Sequence, residues 1–153
     1  MRVAIIAAPY PLEEYPSPPL GIAYVTAAFE AAGCEVCVFD YIISCYSKQK
    51  LARQLADFQP DAVGAGSVTM NFYDAQRILR DVKSINPDIL TMMGGPHVSF
   101  TAEETLKKYP EIDRAIEELR FSDALNLIWQ IISQANKKID QEKIALAHAG
   151  LRG

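Results

Sequence analysis

The run Gly94-Gly95-Pro96-His97 is the clearest chemical signal in this sequence. It follows a short apolar segment, and two glycines directly after a buried strand leave the main chain open to close approach by a flat or bulky ligand. A plain strand-to-helix turn that ends in a surface histidine is the alternative interpretation. If a ligand does bind here, we expect Gly95→Val to weaken its binding and to leave the fold largely intact.

Ser67 and Thr69 offer hydroxyl groups after another apolar segment. Their alternative role is to cap a helix that begins near Met70, and capping is compatible with ligand contact. The surrounding run, residues 64–69, reads GAGSVT and approaches the GxGxxG fingerprint of dinucleotide-binding proteins. Its glycines fall late in the strand, where small residues commonly serve packing alone. A nucleotide site is therefore the less favoured interpretation of this run.

Cys34 and Cys37 form a CxxC pair, but the segment that holds them has the pattern of a strand. Residues three apart on a strand point to opposite faces, so one metal ion cannot be held by both. Cys45, His97 and His148 do not supply a recognisable zinc spacing. We therefore predict no metal site, and the odd cysteine count predicts a reducing cytoplasm rather than a disulfide framework.

The elements that position these residues alternate along the chain. Short apolar runs predict strands at residues 3–8, 35–39, 62–65, 89–93 and 112–116. Apolar residues at helical spacing predict helices at 20–32, around 51–58, at 72–85 and after Ser122. Three strands follow a proline–acid pair, which ends a helix because the residue before proline is pushed out of the helical region. The pairs are Pro60-Asp61, Pro87-Asp88 and Pro110-Glu111.

Alternation of this kind predicts an α/β fold with a doubly wound, flavodoxin-type parallel sheet of five strands in the order 2-1-3-4-5. A ligand binds beyond the carboxyl ends of such strands, where the strand order reverses. We therefore expect any small ligand to touch both the loop at 9–19 and the loop at 67–72, with the loop at 94–101 beside them. The stiff first loop, rich in proline, would form one wall of the site.

Composition narrows the function further. The chain has 153 residues, half of them hydrophobic, which fits one packed domain. Its net charge of −4, without a concentrated basic stretch, argues against nucleic acid as a partner. No apolar stretch reaches the roughly 18 residues of a membrane-spanning helix. The chain lacks the clustered acids after strand one and the acceptor aspartate after strand three that a phosphorelay receiver needs. The prolines at 9–19 lack the main-chain N–H donors that a flavin phosphate loop needs.

Several segments together resemble the cobalamin-binding domain at the N-terminus of cobalamin-dependent radical S-adenosylmethionine enzymes. Residues 18–24, PPLGIAY, are similar to that family's proline-rich start of its first helix, and residues 32–36, AGCEV, to its turn into the second strand. Residues 64–69 and 94–100 resemble its loops after strands three and four. The resemblance covers roughly residues 1–113.

The resemblance implies a domain that binds cobalamin and presents it to a radical S-adenosylmethionine catalytic domain, in the same chain or another, for methyl transfer or related radical chemistry. Ser67 and Thr69 would contact the lower face or the nucleotide of cobalamin, and Gly94-Gly95 would make room for the nucleotide tail. The residues expected to bind the cofactor are Pro9, Tyr10, Pro19, Leu20, Gly21, Ser67, Val68, Thr69, Gly94, Gly95, Pro96 and His97.

The chain departs from the family pattern in two places. Many cobalamin domains carry Asp-x-His-x-x-Gly after strand two, but residues 40–45 read DYIISC, and Ile42 cannot ligate cobalt. The resemblance therefore implies base-off cobalamin without a histidine ligand. The family's Gly-Glu-Gly-Glu after strand five is replaced by EELR at 117–120. The CxxxCxxC of a [4Fe–4S] cluster is absent, so the cluster and S-adenosylmethionine would belong to a partner domain.

The sequence thus predicts a cobalamin-binding α/β domain over residues 1–120, followed by a C-terminal helix within 121–153 that packs on it or extends from it. No residue of the chain is expected to act as a catalytic group. Two alternatives remain open. One is an interaction or regulatory module that kept the fold and lost the cofactor, which the altered loop at 117–120 motivates. The other is a nucleotide-binding domain that uses residues 64–69.

Overall fold

A computed structural model describes residues 1–11 and 19–115 of the chain. In chain order the elements are β1 (Arg2–Ala7), α1 (Leu20–Ala31), β2 (Glu35–Asp40), α2 (Lys48–Phe58), β3 (Ala62–Gly66), α3 (Phe72–Ile85), β4 (Leu90–Gly94), α4 (Pro96–Ser99), α5 (Ala102–Lys108) and β5 (Arg114–Ala115). The predicted alternation of strands and helices is confirmed. The predicted helix after Ser122, the domain boundary near 120 and the loop at 117–120 lie outside the described residues.

The five strands form one parallel sheet in the order β2-β1-β3-β4-β5. The predicted doubly wound fold and its strand order are therefore confirmed. Strand order reverses between β1 and β3, so the connections that follow these two strands diverge and open a crevice at the carboxyl edge of the sheet. This crevice is the place where the fold favours a ligand.

Helices cover both faces of the sheet, which explains why the strands are apolar runs rather than alternating patterns. Ala4 and Ile6 of β1 pack in the larger core cluster, which also holds the buried residues of α2 and α3. Val3 and Ile5 point the other way, into a smaller cluster that includes Phe29 of α1. No helix in the described part of the chain is long and apolar enough to cross a membrane.

The three proline–acid pairs lie at helix-to-strand junctions, as predicted. Each of these three helices ends two residues before its proline: α2 before Pro60, α3 before Pro87 and α5 before Pro110. The acid that follows Pro60 has a further role, because Asp61 Oδ2 accepts the main-chain N–H of Arg2 at 2.7 Å. That bond ties the start of β3 to the start of β1.

A half-buried carboxylate, that of Asp113, anchors β5, which is only two residues long. Asp113 Oδ2 accepts hydrogen bonds from the main-chain nitrogen of Thr91 at 2.8 Å and from its hydroxyl at 3.0 Å. Lys83 Nζ lies 2.6 Å from the same oxygen and also donates to the carbonyl of Ile89 at 2.8 Å. These bonds hold the last strand to β4 and to the end of α3.

One expectation about the segment after β4 is wrong. The segment at 94–101 is not a plain loop, because Pro96–Ser99 forms the one-turn helix α4. The proline sets the φ that the first helical position needs, and it lacks only an N–H that would be unpaired there. The helix α3 begins at Phe72, as the spacing at 72–85 predicts, because Val68 to Asn71 close a tight turn first.

Candidate functional site

The carboxyl edge of the sheet ends in a rung with almost no side chains. Ala7 of β1 is paired with Gly66 of β3, and Gly66 is paired with Gly94 of β4. Asp40 of β2 continues the rung on the other side of Ala7. On three neighbouring strands at the point where strand order reverses, the largest side chain is therefore a methyl group. Such an edge forms a flat floor of main-chain atoms that a large ring system can approach closely.

The two glycines of β3 differ in what lies above them. A Cβ at Gly64 would meet Ile5 Cδ1 at 3.3 Å and Met92 Cε at 3.7 Å, so neighbouring side chains already fill that space. Among the described residues, a Cβ at Gly66 would meet only Ile22 Cγ1, at 4.0 Å. The floor is therefore open at Gly66, on the side of the sheet that α1 covers.

Thr26 is the unpartnered polar group on that side. It follows Ile22 by one turn of α1, and its Oγ1 is buried without a hydrogen-bond partner among the described residues. Buried hydroxyls in native proteins are nearly always paired with protein, water or ligand. A polar ligand group between α1 and the sheet would satisfy this one.

Gly95 has a different role from the one expected. Its φ is +101°, and a Cβ built there would overlap the Ser67 carbonyl oxygen and lie 2.9 Å from the Ser67 nitrogen. The missing side chain therefore makes room for the protein's own main chain, which brings the turn after β4 against the end of β3. The expectation that Gly95→Val would spare the fold is wrong for this reason.

Ser67 is buried and ties the same two strand ends together. Its main-chain nitrogen donates to the carbonyl of Gly94 at 2.8 Å, and its hydroxyl donates to the same oxygen at 3.3 Å. The capping role considered for Ser67 and Thr69 is wrong. Asn71 instead occupies the N-cap of α3, and its Oδ1 accepts the N–H of Val68 at 2.9 Å, which closes the turn.

Thr69 and His97 meet across two connections. His97 Nδ1 is 3.2 Å from Thr69 Oγ1, and the imidazole ring is tilted over Phe72 with 4.4 Å between ring centroids. The structure therefore brings together the two motifs that the sequence singled out separately. His97 is half-buried rather than a free surface side chain.

The opposite wall of the crevice is formed by the connection between β1 and α1, of which the structure describes residues 8–11 and 19. Pro9 and Tyr10 follow β1 and are half-buried, while residues 12–18 lie outside the described residues. Pro19 precedes α1, whose first residues, Leu20 and Gly21, are exposed. The start of α1 has no side-chain cap and no acidic residue in its first turn. Its first N–H groups can therefore face a ligand.

The CxxC pair divides as expected. Cys34 packs in the cluster on the α1 side of the sheet, and Cys37 packs against the larger cluster on the other side. Burial raises the pKa of the Cys34 thiol, which disfavours the thiolate that a metal needs. These two sulfurs cannot grip one ion.

A family model for the B12 binding domain matches residues 14–119 of the chain. This chain belongs to the B12-binding domain family. The resemblance inferred from the sequence is thereby confirmed, and it now stands on a match that covers most of the described fold.

Relatives of this B12-binding domain are much longer proteins. Over 114 residues it is 33% identical to an uncharacterized methyltransferase of Pyrococcus horikoshii, a match that covers 72% of this chain and 25% of the relative. The fold matches the cobalamin-dependent S-adenosylmethionine radical enzyme OxsB, solved with aqua-cobalamin and S-adenosylmethionine bound, with a TM-score of 0.61. That match covers 84% of this chain and 19% of OxsB, and at 20% identity it shows the fold alone. The B12-binding domain spans a quarter or less of the curated relatives that match most of it.

A shorter likeness concerns a different class of protein. A stretch of 44 residues, 29% of this chain, is 50% identical to the methionine–tRNA ligase of Bacillus subtilis and covers 6% of that enzyme.

The connection after β2 in this B12-binding domain is a turn that hydrogen bonds hold in place and that contains no histidine. Asp40 Oδ1 accepts the N–H groups of Ile42 at 2.8 Å and Ile43 at 3.3 Å, and Ser44 donates its hydroxyl to the Asp40 carbonyl. The two isoleucines have no lone pair for cobalt, and Ile43 is 71% exposed. Ile42, the residue that the resemblance places at the family's histidine position, is half-buried in this turn.

Two tyrosines that sequence reasoning missed hold this turn against α2 and α3. The Tyr41 hydroxyl donates to Gln54 Oε1, and the Tyr46 hydroxyl donates to Asp81 Oδ2, each at 2.7 Å. Burial raises the pKa of Tyr41 to about 12. Burial first, and then the bond to Asp81, also raises the pKa of Tyr46. In the sequence they are recognisable only as two tyrosines just after a strand, and that spacing does not predict their hydrogen-bond partners.

Proposed function

We propose that this chain binds cobalamin at the carboxyl edge of its sheet, on the floor formed by Ala7, Gly66 and Gly94. The rung with no side chain larger than a methyl group carries the proposal, because a corrin ring is broad and flat and needs a surface of that shape. The open space at Gly66 and the unpartnered Thr26 hydroxyl support it. The residues present therefore fit this cofactor.

The walls of the crevice are assigned by position. Pro9, Tyr10, Pro19, Leu20 and Gly21 form the wall after β1, where prolines limit the entropy lost on binding. Ser67, Val68 and Thr69 form the wall after β3, with Gly94, Gly95, Pro96 and His97 beside it. Ser67 acts mainly through position, since its hydroxyl already bonds to Gly94. Thr69 is exposed and can bond to the ligand directly.

The bound cofactor is base-off and has no histidine below the cobalt. Ile42 occupies the position at which a ligating histidine stands in many cobalamin domains, and Asp40 holds the turn in place through main-chain bonds rather than through a histidine ring. Cobalamin supplies a cobalt centre that carries methyl groups or takes part in radical chemistry. The chain itself binds and orients it.

The reaction requires a radical S-adenosylmethionine domain, in the same polypeptide or in a partner. The family membership, the relatives' greater length and the absence of a CxxxCxxC motif from this sequence support that division of labour. The reaction class is methyl transfer or related radical chemistry. A reducing, cytoplasmic setting is consistent with the buried free Cys34.

We propose that the cobalamin-binding domain spans residues 1–120 and that residues 121–153 lie outside it. The family match ends at residue 119, and the match to the Pyrococcus protein covers 72% of the chain.

The test is retention of hydroxocobalamin after desalting, followed by its visible spectrum. We expect a base-off spectrum and one corrinoid per chain. Gly66→Ala puts a methyl group on the floor and should weaken binding about tenfold or more, as a single methylene does in a tight pocket. Gly64→Ala, on the same strand and facing the same side, is the matched control and should bind normally.

Other results of this experiment would favour one of the two alternative functions. Colourless wild-type protein under oxidising and reducing conditions would favour an interaction module that lost the cofactor. Saturable binding of a dinucleotide or nucleoside triphosphate, without corrinoid binding, would favour a nucleotide site at residues 64–69. A structure of the complex with ligand only at the amino ends of the strands would overturn the assigned site.

A further inference from the structure

His97 is held by its main chain and its ring and leaves one ring nitrogen uncommitted. Its main-chain nitrogen donates to the Ser67 carbonyl at 3.4 Å, and its carbonyl accepts the Thr101 hydroxyl at 2.9 Å. Nδ1 contacts Thr69 Oγ1 at 3.2 Å, and the ring is tilted over Phe72. In the described part of the chain, Nε2 has no partner.

The surface under the imidazole is itself fixed. Phe72 is buried at the start of α3, and its ring contacts those of Tyr73 at 5.5 Å and Tyr109 at 5.4 Å between centroids. A side chain held at both its ring nitrogen and its ring face has lost most of its rotamer freedom before a ligand arrives. Binding through Nε2 therefore costs little further ordering.

The position of His97 places it beside the proposed ligand. It lies on the first turn of α4, three residues after Gly94, which ends β4 on the side-chain-free rung. The tight contact between Gly95 and Ser67 holds that turn against the end of β3. His97 is therefore carried by the same main-chain junction that forms the edge of the floor.

The contact with Thr69 determines whether Nε2 of His97 donates or accepts a hydrogen bond. When the Thr69 hydroxyl donates to Nδ1, the ring proton resides on Nε2, which then donates a hydrogen bond. We propose that His97, positioned by Thr69 and Phe72, donates a hydrogen bond from Nε2 to an acceptor oxygen of the bound corrinoid. This inference rests on the proposed function. The oxygen belongs to a side-chain amide of the corrin ring or to the phosphodiester of the nucleotide tail.

The experiment compares His97→Phe with His97→Gln in the full chain. Loss of one hydrogen bond predicts about three- to tenfold weaker binding of hydroxocobalamin by His97→Phe. His97→Gln places an N–H donor at a similar distance and should restore most of the affinity. Circular dichroism and thermal unfolding check that both variants keep the wild-type fold.

Cobinamide, which lacks the nucleotide and its phosphodiester, identifies the acceptor. An equal loss with both corrinoids assigns the bond to a corrin amide, and a loss with cobalamin alone assigns it to the tail. Unchanged affinity of folded His97→Phe for both corrinoids overturns the inference while leaving the proposed function standing. If the wild type binds neither corrinoid, the proposed function is wrong and this inference falls with it.

Nitrogen-15 NMR of the imidazole provides a readout independent of affinity. We expect the Nε2–H form of neutral His97 in the complex, assigned by its absence from His97→Gln. Thr69→Val should lose that preference and Thr69→Ser should restore it. An Nδ1–H ring in the wild-type complex would contradict the donor role.

Discussion

Gly95 lies so close to the main chain of Ser67 that no Cβ fits between them, and its φ of +101° suits only glycine well. We expect Gly95→Ala to lower the free energy of unfolding by about 2 kcal/mol or more, because it adds backbone strain and steric overlap. Urea denaturation measures the change. Gly64→Ala is the control and should change stability much less, since its nearest neighbours are the mobile ends of Ile5 and Met92. Equal stability of Gly95→Ala and wild type would contradict the structure at this turn.

The Asp113 carboxylate should make the protein sensitive to acid. Burial raises its pKa, but the bonds from Lys83 and Thr91 outweigh burial and hold it below the usual value. Because the folded state binds fewer protons than the unfolded state, this contribution is present above the unfolded pKa of about 3.9 and is lost as pH falls through the folded value. We expect Asp113→Asn to flatten the dependence of unfolding free energy on pH below about 5. Asp74→Asn, in an exposed pair with Arg77, is the control.

Tyr41 should make the protein sensitive to alkali. Its pKa is raised to about 12 by burial, so the folded state prefers the protonated phenol. Stability is then full below the unfolded tyrosine pKa of about 10 and declines as pH rises from there toward 12. Tyr41→Phe should reduce that decline and cost about 1 kcal/mol at neutral pH, through loss of the bond to Gln54. Tyr73→Phe, at a 70% exposed position, should leave the alkaline profile unchanged.

The three cysteines should neither hold a metal nor form a required disulfide. Cys45 is exposed and should react with a thiol reagent in the native protein, whereas buried Cys34 should react only on unfolding. The Cys34→Ser and Cys37→Ser variants should retain hydroxocobalamin as the wild type does. Stoichiometric iron or zinc in purified protein, lost on Cys34→Ser, would contradict this prediction.

The sequence was sufficient for the fold because each element has a local cause. The apolar runs of β1 and β3 and the prolines after α2, α3 and α5 determine where those elements begin and end. Parallel pairing with right-handed crossovers then leaves few arrangements. The apolar spacing at 72–85 gives the bounds of α3, but not its N-cap residue. Asn71 rather than Thr69 occupies that position, and its side chain bonds to Val68 in the turn before the helix.

The site was predictable in its parts but not in its contacts. Gly94-Gly95 could be recognised as a place without side chains, yet whether ligand or protein fills that place depends on the register of β3 and β4. That register puts Ser67 against Gly95 and leaves Gly66 open. The pairing of Thr69 with His97 likewise needs two connections to meet, which spacing along the chain does not reveal.

The floor of Ala7, Gly66 and Gly94 is made of peptide units, so its chemistry is the same whatever side chains surround it. What evolution must maintain there is an absence of atoms rather than a set of functional groups. Homologues can therefore replace most of the walls and still offer the same surface, while a single added methyl group at Gly66 changes it. We expect natural variation in this domain to be wide in the loops, confined to alanine and glycine at position 7, and confined to glycine at position 66.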